Sequence, residues 1–161
     1  MGEAERERSP SCAKPVLQAL LLADYVYQDK ETGKRLVAGI FDCILVKKHR
    51  VPTSNSGEPG PVVIPVGDVR QVGSPYIYIN LREVRSTMPL ELRLVHLESN
   101  EVFFRCSPFE VVCEDPLRSV ELVIPVPMLP SILGTYAFEL IYNNEMIGSH
   151  RFVVRETEQQ E

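Results

Sequence analysis

Between residues 134 and 155 the chain reads GTYAFELIYNNEMIGSHRFVVR, and its large apolar side chains recur at every second position. Tyr136, Phe138, Leu140 and Tyr142 precede the asparagine pair, and Phe152 and Val154 follow it. A repeat of two puts such side chains on one face only if the backbone is extended, because a helix would scatter them around its axis. Asn143 and Asn144 supply the turn, since asparagine tolerates the positive φ that a tight hairpin demands. The segment is predicted to be a β-hairpin with one oily face, and such a face needs a second layer to cover it.

The same alternation recurs upstream. In residues 75–84, Ile77, Ile79 and Leu81 alternate with Tyr76, Tyr78 and Asn80. In residues 90–98, Leu90, Leu92 and Leu94 alternate with Glu91 and Arg93. Val120, Leu122, Ile124 and Val126 repeat the pattern against Glu121, Val123 and Pro125. Residues 17–27 and 35–46 flank the turn-forming DKETGK and read as two strands of a hairpin, with Gly39 marking a bulge or a close backbone approach. Residues 102–112 read as one strand interrupted at Pro108, which points to an edge or a bulge. Residues 47–62 are rich in Pro, Gly, Ser and Asn and read as a surface loop, and residues 127–133 as a crossing between layers.

This gives about eight strands and no long helix, so the fold class is all-β: an antiparallel two-sheet β-sandwich of immunoglobulin-like architecture. Thirteen prolines agree with many short connections. A single domain is expected over residues 15–155, between a disordered tail at 1–14 and an acidic tail at 156–161. At 161 residues the chain is long enough to build a core without staples.

Composition narrows the function classes. A net charge of −5 argues against nucleic acid and an anionic membrane, both of which need a positive footprint. The opening MGEAERERSPSCAK lacks the apolar run of a secretion signal, and residues 15–23 are too few to span a bilayer, so a cytoplasmic location is expected. Cys12, Cys43, Cys106 and Cys113 lack the close pairing of zinc or redox motifs and read as reduced thiols, with Cys43 and Cys106 packed inside strands. His49, His96 and His150 share no ligand spacing, and His96 and His150 read as outward or edge polar residues. Ser, His and Asp form no local signature, so no enzyme activity, cofactor or metal is expected.

What remains is binding. Lys47, Lys48, His49 and Arg50 are the one concentrated basic run in the sequence, a candidate dock for an acidic partner segment. Tyr76 and Tyr78 point away from Ile77 and Ile79 and are a candidate aromatic platform. Residues 146–154 read as a strand free to pair at an edge, with an unknown protein partner or, as a homodimer, with a second copy. The leading expectation is therefore a non-catalytic protein-binding or assembly module that uses loops or an edge strand. The alternative is a β-sandwich that binds a small ligand or carbohydrate.

In three stretches, ALLLADYVYQDKETGKRLVAGIFDCI, ELRLVHLESNEV and GTYAFELIYNNEMIGSHRFVV, the chain resembles a family of small bacterial proteins known only as a domain of unknown function. The likeness covers nearly everything but the tails, and its most specific parts are the ADYVYQDKETGK hairpin and the closing hairpin. It implies a standalone intracellular β-sandwich with no assigned activity, and it carries no functional residues over. Gly134, Tyr136 and Phe138 are also similar to the Gly-x-Tyr-x-Phe opening that many immunoglobulin-like modules use for packing.

Overall fold

The computed structural model describes residues 13–46, 62–64 and 75–156. Its strands are β1 (Val16–Gln28), β2 (Arg35–Ile40), β3 (Cys43–Val46), β4 (Val62–Ile64), β5 (Tyr76–Arg82), β6 (Met88–His96), β7 (Glu101–Cys106), β8 (Phe109–Val111), β9 (Val120–Pro125), β10 (Gly134–Tyr142) and β11 (Glu145–Glu156). One sheet has the order β2-β1-β5-β9. The other runs β3-β11-β10-β6-β7-β4, with β8 also paired to β6. The all-β expectation holds, and the strands form two sheets.

Strand number and direction differ from the reading of the sequence. Two runs read as single strands are broken: residues 35–46 at Phe41 and Asp42, where the chain leaves one sheet for the other, and residues 102–112 at Ser107 and Pro108. Val62–Ile64 adds a short strand that begins at the last residue of what read as loop. The pairing is not purely antiparallel either. β3 lies parallel to β11, with Cys43 level with Val153, and β4 lies parallel to β7. The cause of the first is the crossover itself, which delivers β3 to β11 travelling in the same direction.

The closing hairpin is as its sequence dictates. Asn143 and Asn144 both adopt positive φ, at 48° and 62°, and Tyr136, Phe138, Leu140 and Tyr142 are all buried. Leu20, Leu22, Ile77, Ile79 and Ile124 from the first sheet join Leu90, Leu92, Leu94, Phe104 and Phe152 from the second in one apolar cluster. At its centre the Phe138 ring lies 5.6 Å from Phe152 and 5.9 Å from Phe104, and Phe152 stacks on Tyr136 at 5.6 Å. Aromatic pairs at this spacing add roughly 0.5–1.5 kcal/mol each beyond simple burial, so this ring chain pins the second sheet.

Several local expectations need correction. Lys14, placed in the N-terminal tail, pairs with Glu145, and Glu156, placed in the acidic tail, closes β11. Of residues 146–154, Val153 and Val154 are taken by pairing with β3, and the Leu17 side chain lies against Gly148. Cys43 is exposed on an outer strand, whereas Cys106 packs in the core. His96 does not point outward, because the period of two puts it on the face of Leu92 and Leu94, against the Tyr136 ring at 4.8 Å. Among the described residues no helix is long and apolar enough to cross a membrane.

Candidate functional site

The feature that stands out is the β1–β2 hairpin, and its sequence explains its shape. Asp29 organises the turn: its carboxylate accepts hydrogen bonds from the Thr32 hydroxyl at 2.5 Å and the Glu31 N–H at 3.1 Å. The Thr32 bond is the main reason the Asp29 carboxyl is held below its ordinary pKa. Gly33 then takes φ +68°, the left-handed conformation that closes the loop, and its N–H donates to the Asp29 carbonyl at 2.8 Å. The register that follows sets Tyr27 opposite Leu36, Tyr25 opposite Ala38 and Ala23 opposite Ile40.

Residues opposite each other in a ladder share a face, so Tyr25, Tyr27, Leu36, Ala38 and Ile40 lie together. That face is bare. Tyr25 is 52% exposed, Tyr27 54%, Leu36 61% and Ile40 55%, and the two tyrosine rings lie nearly parallel with centroids 5.8 Å apart. At roughly 100 Å² of exposed area for each large side chain, the stripe amounts to about 400 Å², within the size range of patches that are often functional.

The opposite side of the hairpin, carrying Val26, Arg35 and Val37, is half-buried. Arg35 Nε lies 3.4 Å from Glu121 Oε2 on β9. In a straight sheet this contact is out of reach: Arg35 pairs with Gln28, while Glu121 is level with Asn80 and Ala19, a separation of about 30 Å at the normal strand rise. The ribbon must therefore bend enough to bring the start of β2 within reach of β9. Tyr78 points away from the core and yet is only 8% exposed. Its hydroxyl donates to the Glu121 carboxylate and accepts from Asn80 Nδ2 at 3.2 Å. Burial, then the bond to Glu121, raise the Tyr78 phenol above its ordinary pKa.

Each residue expected to form a site now has a place. Tyr78 is buried and Tyr76 half-buried, so the two form no open platform; the exposed aromatic pair is Tyr25 with Tyr27. Lys47, Lys48, His49 and Arg50 lie outside the described residues. The sequence identified the hairpin but not its bare face. The signal was present, since placing the turn at DKETGK fixes Tyr27 against Leu36 and sends the tyrosines and aliphatics to one side.

A second grouping surrounds the β6–β7 turn. His96 Nδ1 is 2.7 Å from Ser99 Oγ, and Ser99 Oγ donates to Glu101 at 3.1 Å. His96 Nε2 lies 3.1 Å from Glu98 Oε2 without the alignment of a hydrogen bond. The carboxylate of Glu98 instead accepts the Thr135 N–H at 2.8 and 3.0 Å, and the Thr135 side chain first, then its backbone N–H, lower the Glu98 pKa. Serine, histidine and glutamate are the types of a nucleophilic relay, but here two carboxylates compete for the turn residues and Glu98 is committed to the backbone of β10. The arrangement fastens a turn to the neighbouring strand.

Between Ile77, Leu92, Phe104, Cys106, Ile124 and Phe138 the core leaves no room even for a water molecule. This apolar crevice is packing and offers a ligand neither space nor a polar group to orient it. No protein-family model matches this chain, and no curated protein matches it.

Proposed function

We propose that this chain is a non-catalytic, immunoglobulin-like β-sandwich that binds another protein through the β1–β2 hairpin. The observation that carries this reading is the four large apolar side chains, each more than half exposed, on one face of a ribbon whose other face is half-buried and tied to β9 by the Arg35–Glu121 pair. A ribbon tied down in this way keeps the stripe presented, so binding does not first have to order it. The test is photo-crosslinking from Tyr27 and Leu36 in the full chain, with Met146, which is 52% exposed on β11 of the other sheet, as control. One protein captured from both hairpin positions and not from the control is the expected result; equal capture at all three would refute the assignment.

The parallel rings of Tyr25 and Tyr27 support the second reading, a carbohydrate ligand stacked on aromatic faces. The chain has no Trp, so tyrosine emission reports directly on such stacking. A saturable change in that emission with soluble oligosaccharides, lost in Tyr25→Ser, would favour the sugar over the protein partner.

A further inference from the structure

We propose that β2 is a strand-acceptor edge, to which an extended segment of a partner protein, apolar at alternate positions, adds as a further strand. The inference rests on reading the hairpin as the contact surface and specifies what makes the contact. Asp29 N–H donates to the Lys34 carbonyl at 2.8 Å, which fixes the parity at the tip of the ladder; the opposite parity of the Phe41 N–H to Leu22 carbonyl bond places a shift nearer the base, where the register skips Asp24 and Gly39. Working back from that pair, Tyr27 and Leu36 exchange hydrogen bonds with each other, whereas Arg35 and Val37 turn their N–H and C=O groups away from β1. β2 is outermost in its sheet, so among the described residues no strand receives them.

Unpaired strand edges are normally blunted by shortness, charge or proline. The other outermost strands show these devices. β3 has four residues and β4 three, and β9 contains Glu121 and ends at Pro125. β2 has six residues, RLVAGI, with no proline and no charge after Arg35. A strand laid along it would set its own alternate side chains about 5 Å from Leu36 and Ala38. Apolar residues at those positions would extend the stripe, which defines the chemistry of the partner segment.

A second copy of the chain fits less well. Stacking two hairpin faces would bury roughly 400 Å² from each chain, about half of the ~800 Å² per partner in a stable interface. Pairing two β2 edges would leave both apolar faces in water, and Gly39, at φ +68°, interrupts the extended run in each copy.

The experiment uses the full chain and a synthetic octapeptide of alternating isoleucine and threonine with a lysine at each end. Amide exchange is expected to slow at least tenfold at Arg35 and Val37 on peptide saturation, with Leu36, already bonded to β1, unchanged. Val37→Pro removes an N–H that β1 does not use, and it should weaken peptide binding at least tenfold while the hairpin persists. The exchange measurement needs no variant and decides the matter even if Val37→Pro does not fold. No protection at Arg35 and Val37 at millimolar peptide, or binding that Val37→Pro leaves intact, overturns the strand-acceptor edge. If Leu36→Asn still abolishes crosslinking to a protein partner in that case, the hairpin remains the contact surface and only the mode of contact is wrong. A dimer seen by sedimentation and lost in Val37→Pro would assign the edge to a second copy and overturn the proposed occupant.

Discussion

Replacing Gly134 with alanine tests how tightly the β6–β7 turn is fastened to β10. Gly134 opens β10 at φ +146°, a conformation that residues with a side chain rarely adopt, at a cost of about 1–3 kcal/mol. A Cβ at this position would lie 2.4 Å from His96 Nε2 and 3.1 Å from Glu98 Oε2. Neither neighbour can simply swing aside. His96 is held between the Tyr136 ring and Ser99, and Glu98 by the Thr135 N–H. Crowding of this kind costs about 1–3 kcal/mol more, so Gly134→Ala should lose roughly 2–6 kcal/mol in all. Against a typical domain stability of about 5–15 kcal/mol, that is a large fraction. Urea denaturation followed by circular dichroism should show a lower midpoint with an unchanged slope. In a His96→Ala background the crowding against Nε2 disappears while the backbone strain stays, so the same substitution should cost about 1–2 kcal/mol less. A loss below about 1 kcal/mol, or an equal loss with and without His96, would refute the reasoning.

Three further outcomes follow from the geometry. Tyr78→Phe removes the acceptor of Asn80 Nδ2 and one of the two partners of Glu121 and should lower stability by about 1–3 kcal/mol in thermal or urea unfolding, whereas a loss near zero would show that water replaces the hydroxyl there. Cys43 is exposed, while burial pushes the Cys106 thiol up to about 11; a thiol reagent should therefore label Cys43 in the native protein and Cys106 only after unfolding. The carboxyl of Asp29 is held below its ordinary pKa in the fold, so its contribution to the turn is present above the unfolded-state pKa and lost as pH falls through the lower folded value. A pH titration followed by NMR should place its midpoint below 3.8, and Thr32→Ala should move it back up.

The two hairpins were legible in the sequence because each couples a period of two to a turn with its own chemistry, Asn143-Asn144 in one and DKETGK in the other. Leu90, Leu92 and Leu94 were assigned to the core by the same rule, and carrying it one step further to His96 would have placed that histidine inward too. Other features lay beyond local pattern. Between Arg35 and Val46 the only charged residue is Asp42, and a single acid in an apolar run does not by itself mark the point where the chain changes sheets. The parallel pairing of β3 with β11 follows from that change, so it was equally hidden. The bare face needed the register, and the place of Tyr78 needed its bond to Glu121, a contact between residues far apart in sequence.

The crossover at the base of the hairpin has a mechanical consequence. Phe41 donates its N–H to the Leu22 carbonyl in one sheet, and the very next residue, Asp42, accepts the Val153 N–H in the other. The His150 ring comes within 3.2 Å of the Phe41 carbonyl at the same spot. A pull on the hairpin would thus be shared between both layers within two residues. Resistance would come from β1 and β3 sliding along their neighbours, with several bonds loaded together, and not from one strand peeling away bond by bond.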